Sequence, residues 1–202
     1  MAVVLQDFSW KRMIGAVEAV KDRVRRASAA LSAANIPYAV VGGNAVAAWV
    51  ARVDQAAVRN TQDVDILLRR EDLPAVINAM QSAGFVHRHV NQFDFFTEPD
   101  ETRFRHGVHL IFAREKVKTD DILPAADVDE SEPGPEFQVV SLDALVRMKL
   151  TAFRAKDRVH LDDLLRVGLI DETWKTRMPA AFADRLDQVI AEFEPDPDNS
   201  SH

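Results

Sequence analysis

An apolar run is followed by two glycines in the segment Ile36-Pro37-Tyr38-Ala39-Val40-Val41-Gly42-Gly43. The apolar run predicts a short buried strand, and the two glycines predict a tight turn at its end. We expect Asn44 to cap the N-terminus of a helix over the alanine-rich segment 45–51. Glycines after a strand let the backbone approach a ligand closely, and a helix N-terminus offers free N–H groups to an anion. The pattern therefore predicts either an anion-binding turn or a turn with no ligand.

Two carboxylates on the next apolar run are the second informative feature. Val64-Asp65-Ile66-Leu67-Leu68 is typical of a buried strand, and Asp63 directly precedes it. Alternate residues of a strand share a face, so the side chains of Asp63 and Asp65 point the same way. Two like charges on an apolar strand repel each other unless a cation lies between them. The sequence therefore indicates a metal site, with the alternative that Asp63 is an exposed residue at the strand entry and only Asp65 is constrained.

A lysine interrupts an apolar helix face in the C-terminal third of the chain. Ser141 is an expected N-cap. The helix after it carries a stripe at helical spacing that consists of Leu142, Leu145, Val146, Lys149 and Phe153. The Lys149 side chain either snorkels at the edge of the core or directs its ammonium group into a cleft, toward phosphates.

The remaining periodicity predicts a small mixed sheet with helices before, between and after its strands. Longer helices are expected over residues 9–34, 71–83 and 141–154, and shorter ones over 161–193. Further strands are expected over 85–96 and 103–112, paired antiparallel around the loop 97–102. The predicted fold class is therefore α/β (α+β).

The same pattern divides the chain into four expected parts. A core with an N-terminal helix occupies residues 1–119, and an acidic, proline-rich linker or loop occupies 120–138. A C-terminal helical subdomain follows over 139–194, and a disordered tail over 195–202.

The composition excludes several classes of protein. The sequence contains no cysteine, which removes disulfides, zinc ribbons, Fe–S clusters and thiol catalysis. No apolar run approaches the roughly 18 residues that a bilayer span requires, and the first residues lack a secretory pattern. We therefore expect a soluble, cytoplasmic protein with no membrane partner. Two acidic segments, 120–136 and 192–198, carry eleven acidic residues and no Lys or Arg, which exceeds the whole net charge of −7. The remainder is mildly basic, which is compatible with a phosphate-bearing substrate.

Together these features resemble the nucleotidyltransferase superfamily, whose polymerase-β-like fold transfers NMP groups from NTPs. Its hallmark is Gly-Gly or Gly-Ser at a strand–helix turn, then a strand with Asp-x-Asp, here Val41-Gly42-Gly43 and Asp63-Val64-Asp65. The approach Arg59-Asn60-Thr61-Gln62-Asp63 resembles the branch related to abortive-infection and toxin–antitoxin transferases. The run from Lys149 to Lys156-Asp157 is similar to the C-terminal helical element of that branch.

The resemblance implies a role for each matching residue. Asp63 and Asp65 would ligate a divalent cation, Mg²⁺ or Mn²⁺, which would stabilise the attacking and leaving oxygens of phosphoryl-type transfer. The residues that would bind the NTP, hold its phosphates or shape the loop beside them are Gly42, Gly43, Asn44, Arg59, Thr61 and Lys149.

Two positions depart from the family pattern. The family usually has a third carboxylate on a neighbouring strand, and the apolar pattern of residues 107–112 puts His109 there. His160 likewise stands where the helical element often has a second Asp. A neutral imidazole ligates a metal or accepts a proton, but it brings no negative charge and prefers softer ions than Mg²⁺. We therefore place His109 with Asp63 and Asp65 in the predicted catalytic and metal-binding set, and expect Mn²⁺ to serve better than Mg²⁺.

The first functional hypothesis is a metal-dependent nucleotidyltransferase that moves an NMP from an NTP to a protein side chain, an RNA end or a small hydroxyl compound. The second is a catalytically impaired member that binds nucleotide or a partner protein, as in a toxin–antitoxin pair. The third is a structural protein that has kept only the fold. A cognate partner protein or a homodimer is compatible with the pattern.

Overall fold

A computed structural model describes residues 9–193, apart from the side chain of Arg12. The described helices are α1 (Trp10–Ala33), α2 (Gly42–Val50), α3 (Leu73–Ser82), α4 (Leu142–Ala152), α5 (Ala155–Arg166), α6 (Trp174–Arg177) and α7 (Ala183–Glu192). The strands are β1 (Tyr38–Val41), β2 (Val64–Leu68), β3 (Val86–Val90), β4 (Phe93–Thr97), β5 (Val108–Phe112), β6 (Ser131–Pro133) and β7 (Gln138–Val140). The mixed α/β fold class is confirmed.

The strands form one sheet in the order β3-β4-β5-β2-β1-β7-β6. Two neighbouring pairs, β2 with β5 and β1 with β7, are parallel, and the other four are antiparallel. The three strands that carry the motif residues are β1, β2 and β5, and they are adjacent at the centre of the sheet. The C-terminal end of β1, which carries the glycine turn, lies beside the N-terminal end of β2, which carries the carboxylates.

Each face of the sheet is covered by a different set of helices. Tyr38 and Val40 of β1 face a core shared with α1 and α3, while Ala39 and Val41 face a core shared with α2, α4, α5 and α7. This alternation follows from the period of two along a strand. Asp65 is in phase with Leu67, so its side chain lies on the face of α2, α4 and α5.

Two predicted element boundaries differ from the structure. The segment expected as one strand over 85–96 is a hairpin, because Asn91 adopts a positive φ of 56° between β3 and β4. The helix that Ser141 caps ends at Ala152, where Phe153 takes a left-handed conformation with φ of 44°. The predicted capping itself is present, since the Ser141 hydroxyl accepts a hydrogen bond from the Ala144 N–H.

The predicted capping role of Asn44 is wrong. Helix α2 begins earlier, at Gly42, with Val41 in the N-cap position. The Asn44 amide instead donates a hydrogen bond to the backbone carbonyl of Asp63, at 2.7 Å. Asn44 therefore links α2 to the residue before β2.

The segment 120–138 was expected as a linker or loop, and it contains β6 and leads into β7. Buried Val139 and Val140 of β7 pack with Leu145 and Leu150 of α4 in the same core as β1. The sheet thus continues beyond residue 119, and α4 follows it directly. The predicted disordered tail, 195–202, lies outside the described residues. Between residues 9 and 193, no helix has both the length and the apolar character needed to cross a bilayer.

Candidate active site

One row of backbone pairs crosses the centre of the sheet. Val41 of β1 lies opposite Asp65 of β2. Asp65 lies opposite His109 of β5, which in turn lies opposite Phe95 of β4. Because β1 continues directly into Gly42, the row runs from the glycine turn through a carboxylate and an imidazole to an aromatic ring. These residues line a cavity of about 730 Å³ that α4 and α5 also border.

The cavity collects most of the residues that the sequence singled out. Those that line it are Gly42, Gly43, Thr61, Asp63, Asp65, His109 and Lys149. Two predicted nucleotide-binding residues, Asn44 and Arg59, are not among its lining residues. Asn44 instead binds the backbone carbonyl of Asp63, and Arg59 lies in the loop that leads to Thr61 and Asp63.

The glycine turn packs too closely against β2 and its approach loop to accept a side chain. Gly42 has a φ of +68°, and a Cβ there would lie 2.0 Å from Asp65 Oδ2. A Cβ on Gly43 would lie 2.9 Å from the Thr61 hydroxyl oxygen. Glycine is required at both positions, and its absence of a side chain brings the N-terminus of α2 beside the Asp65 carboxylate.

Asp65 and His109 form a hydrogen-bonded pair. His109 Nδ1 lies 3.3 Å from Asp65 Oδ1, and its Nε2 donates to the Phe104 carbonyl at 2.8 Å. Burial lowers the pKa of His109, but the hydrogen bonds to Asp65 and Phe104 outweigh it and raise that pKa above its ordinary value. Two protonation states fit the geometry. One is an imidazolium that donates from both nitrogens, and the other, which requires a cation between Nδ1 and Asp65, is a neutral ring whose Nδ1 lone pair faces that cation.

The Asp65 carboxylate is held in its charged form. Burial raises its pKa, but the His109 hydrogen bond and the charges of His109, Lys149 and Lys156 outweigh that effect, so the pKa lies below its usual range. Asp63 lies at the more open end of the pair, with its Oδ2 atom 3.7 Å from the Lys156 ammonium nitrogen. The structure therefore places each carboxylate beside a cationic or protonatable side chain.

Lys149 is buried and does not snorkel to the surface. Its side chain is 6% exposed, and its ammonium nitrogen lies 3.2 Å from Asp157 Oδ1. Arg154 holds the other oxygen of Asp157, with Nε at 2.7 Å. Burial lowers the pKa of Lys149 despite the opposing effect of Asp157. For Asp157, burial acts to raise the pKa, but Arg154 and Lys149 outweigh it and lower the pKa. The cluster presents two cations and one anion to the cavity.

His160 is the second histidine of the cavity and has the opposite character to His109. It follows Asp157 by one turn of α5, so both side chains share a helix face. Burial and the nearby Lys149 charge lower the pKa of His160 to about 4. Its Nδ1 atom is buried without a hydrogen-bond partner among the described residues. The ring is therefore neutral near pH 7.

Arg59 shapes the loop before β2 from outside the cavity. Its Nε atom donates to Asp163 Oδ1 on α5, at 2.6 Å. The Asp163 side chain is nearly buried, and burial raises its pKa while the Arg59 contact opposes that shift. The ion pair fastens the segment that carries Thr61 and Asp63 to α5. Arg59 thus has a positioning role in the structure.

The donor set indicates how a divalent cation would fit. Proteins bind Mg²⁺ through one or two carboxylates together with substrate phosphates, and seldom through a complete protein cage. Asp63 and Asp65 supply two carboxylates next to the glycine turn. Within residues 9–193, no group of three or more His, Asp or Glu side chains is arranged to hold a metal ion by itself. The residues therefore fit a cation that shares its coordination shell with a bound triphosphate.

Sequence reasoning did not place several lining residues in the site. The sequence pattern named Lys156, Asp157 and His160 in the helical element without assigning them to the site, and in the structure all three line the cavity. The aromatic side of the cavity includes Phe93, Phe95 and the loop residue Phe104. The alternation of Phe93 and Phe95 shows that they share a strand face, but nothing in the sequence brings Phe104 to them.

Two solved structures are among those similar to this chain. The antibiotic-resistance factor ANT(2'')-Ia matches over 87% of this chain and 92% of its own, with a TM-score of 0.52 and 13% identity, which shows a shared fold. An antigenic nucleotidyltransferase-like protein from Paracoccidioides brasiliensis matches over 90% of this chain and 98% of its own, with a TM-score of 0.47 and 15% identity. The search of curated proteins found no match.

A family model described as "Uncharacterised nucleotidyltransferase" matches residues 11–146. The match covers 136 of the 202 residues and includes the glycine turn, both carboxylates and the strand that carries His109. The chain therefore belongs to this family of nucleotidyltransferases.

Proposed function

We propose that the protein is a metal-dependent nucleotidyltransferase that transfers an NMP group from an NTP to a hydroxyl-bearing acceptor. The observation that carries this proposal is the contact between the glycine turn and Asp65. The residue whose missing Cβ would collide with Asp65 is also the first residue of α2. A phosphate at this helix N-terminus would therefore lie next to the Asp63–Asp65 pair.

The residues divide the work of the reaction between them. The backbone N–H groups of Gly42 and Gly43 would bind phosphate oxygens, and Lys149 and Lys156 would offset their charge. A divalent cation bound by Asp63, Asp65 and the triphosphate would supply Lewis-acid stabilisation of the phosphoryl oxygens. The acceptor oxygen forms a bond to the α-phosphorus as the α–β P–O bond breaks, pyrophosphate departs with the electron pair, and the acceptor proton passes to water. His109, held by Phe104, would orient Asp65 or complete the metal shell.

Titration calorimetry with ATP, GTP, CTP and UTP, each with Mg²⁺ or Mn²⁺, tests the proposal. We expect metal-dependent binding of at least one nucleotide, with Mn²⁺ preferred if His109 enters the shell. Asp63→Asn and Asp65→Asn should abolish that binding while circular dichroism stays unchanged. Asp54→Asn, at an exposed position outside the cavity, is the matched control. Absence of binding for all four nucleotides would reject the proposal.

A second candidate function is a nucleotide-binding protein with impaired transfer that acts through a partner protein. The observation that favours it is that both ring nitrogens of His109 are already engaged, one by Asp65 and one by Phe104. His109→Asp would then restore a third carboxylate. A gain of pyrophosphate release in this variant over the wild-type chain would support the impaired state, and a loss would support His109 as a working catalytic group.

A further inference from the structure

The row of paired residues across the sheet has two chemically different ends. The glycine turn lies at its β1 end, the Asp65–His109 pair in the middle, and Phe95 at its β4 end. Lys156 of α5 reaches Asp63, two residues before Asp65 in the chain. An in-line displacement requires the entering oxygen and the departing pyrophosphate on opposite sides of the α-phosphorus. With phosphates at the glycine turn, the acceptor enters from the β4 side.

The β4 side of the cavity is an aromatic wall, which we define as Val90, Phe93, Phe95, Phe104 and Val117. The Phe104 ring stacks on His109, with centroids 4.2 Å apart and planes 17° apart. Phe95 meets the edge of Phe104 at 4.8 Å, and Phe93 meets it at 6.1 Å. The three phenylalanine rings of the wall therefore extend outward from the His109 imidazole through successive ring contacts.

The wall is exposed to an unusual degree. Among the nine most exposed large apolar side chains of residues 9–193, four belong to it, namely Val90, Phe93, Phe104 and Val117, and they are 40–53% exposed. All four line the same cavity. A contiguous exposed apolar patch marks a binding site, whereas apolar side chains that are exposed singly are normal on any protein surface. The cavity volume of about 730 Å³ suits a small molecule.

The apolar surface also extends past the first cavity. A second recess of about 670 Å³ shares Phe93, Leu110, Ile111, Val117 and Lys118 with it. The wall itself consists of uncharged side chains. Asp94, the carboxylate nearest to it in the chain, is already held by His87 and His89 at 2.9 and 3.0 Å.

We propose that the aromatic wall is the acceptor subsite and that the acceptor is a small aromatic compound with a hydroxyl group. Its ring packs on Phe93 and Phe104, and its hydroxyl oxygen points toward Asp65 and His109. In the reaction this oxygen bonds to the α-phosphorus, pyrophosphate leaves, and the hydroxyl proton goes to water. This inference rests on the proposed function, because only a transferase has an acceptor. Binding of a compound to the wall is nevertheless measured without turnover.

The probe is 2-naphthol, whose binding to the full chain is followed by calorimetry and by its own fluorescence. Phe93→Ser and Val117→Ser should each weaken naphthol binding about tenfold or more, which is the loss expected for one well-packed apolar contact. Val159→Ser removes an equally exposed apolar side chain from α5, outside the cavity, and should change nothing. Mass spectrometry should detect a naphthyl nucleoside monophosphate when the bound NTP and Mn²⁺ or Mg²⁺ are added.

Three results would overturn the inference. If naphthol binds equally to all variants, or does not bind at all, the wall is not a ligand site. If Phe93→Ser weakens NTP binding instead, the wall belongs to the nucleobase site. Naphthol bound at the wall but never converted, in a chain that transfers NMP to another acceptor, would exclude aromatic hydroxyl compounds as substrates. Failure of the proposed function is distinguished by NTP titration of the same wild-type sample.

Discussion

The sheet face under α1 and α3 packs apolar side chains throughout its centre, whereas the opposite face carries Asp65 and His109 above a cavity. On the first face, Ile66 and Phe96 are completely buried. On the second, the buried or partly buried groups include the charged side chains Lys149, Asp157 and Asp163. Burial of charge is unfavourable unless it is paired, and every one of these three is paired. Both faces therefore contribute an apolar core, and the second face also holds paired ionic groups beside the cavity.

The largest effect should come from the apolar face. Phe96→Ala removes a ring with no exposed surface and leaves a cavity between β4 and α3, so we expect a loss of about 3–5 kcal/mol in the free energy of unfolding. Urea denaturation measures this loss. Phe93→Ala, at a 40% exposed ring on the other face of the same strand, is the matched control and should cost far less. Equal losses of unfolding free energy in the two variants would contradict the difference in burial between the two faces of β4.

The next effect is a pH dependence due to His160. Because burial lowers its pKa to about 4, the folded chain binds fewer protons than the unfolded chain between about pH 4 and 6.5. Stability is therefore lost as the pH falls through this window, by about 2–3 kcal/mol at most from this residue. His160→Gln should flatten the dependence in urea titrations between pH 4 and 7. An unchanged slope would show that His160 is accessible to water and protonates freely.

A binding effect at Lys149 follows. Lys149→Met keeps the aliphatic volume, and Arg154 still neutralises Asp157, so the free energy of unfolding should change by less than about 1.5 kcal/mol. Loss of one charge-assisted contact to phosphate, about 1.5–3 kcal/mol, should weaken NTP binding roughly 10- to 150-fold. Calorimetry measures it, with Lys21→Met on the exposed side of α1 as the control. Unimpaired affinity would leave Lys149 with a structural role only.

The smallest effect is the pH dependence of His109, whose sign is opposite to that of His160. Its pKa is raised in the folded chain, so its stabilising contribution is complete below the ordinary histidine pKa and is lost as the pH rises through the folded-state value. His109→Gln should remove this alkaline-side loss when the protein is kept in EDTA. A variant with the wild-type profile above pH 6.5 would contradict the hydrogen bond to Asp65.

The site was predictable to the extent that its residues are close in the sequence. Val41-Gly42-Gly43 and Asp63-Val64-Asp65 specify their own local geometry, because a strand, a glycine turn and a period of two need no distant partner. The role of Asn44 was not predictable in this way, since its actual acceptor is the carbonyl of Asp63, 19 residues away. The hairpin at Asn91 was also missed, because a positive φ at asparagine leaves little trace in an apolar pattern.

The sequence by itself determined the mixed α/β class, the motif strands and the residues that match the nucleotidyltransferase pattern. Only the tertiary structure decided what those side chains contact. Lys149 pairs with Asp157, Arg59 reaches Asp163 on α5, and Phe104 covers His109. The physical reason is range: propensity and periodicity act over a few neighbouring residues, whereas ion pairs and ring contacts depend on how separate elements pack on one face of the sheet.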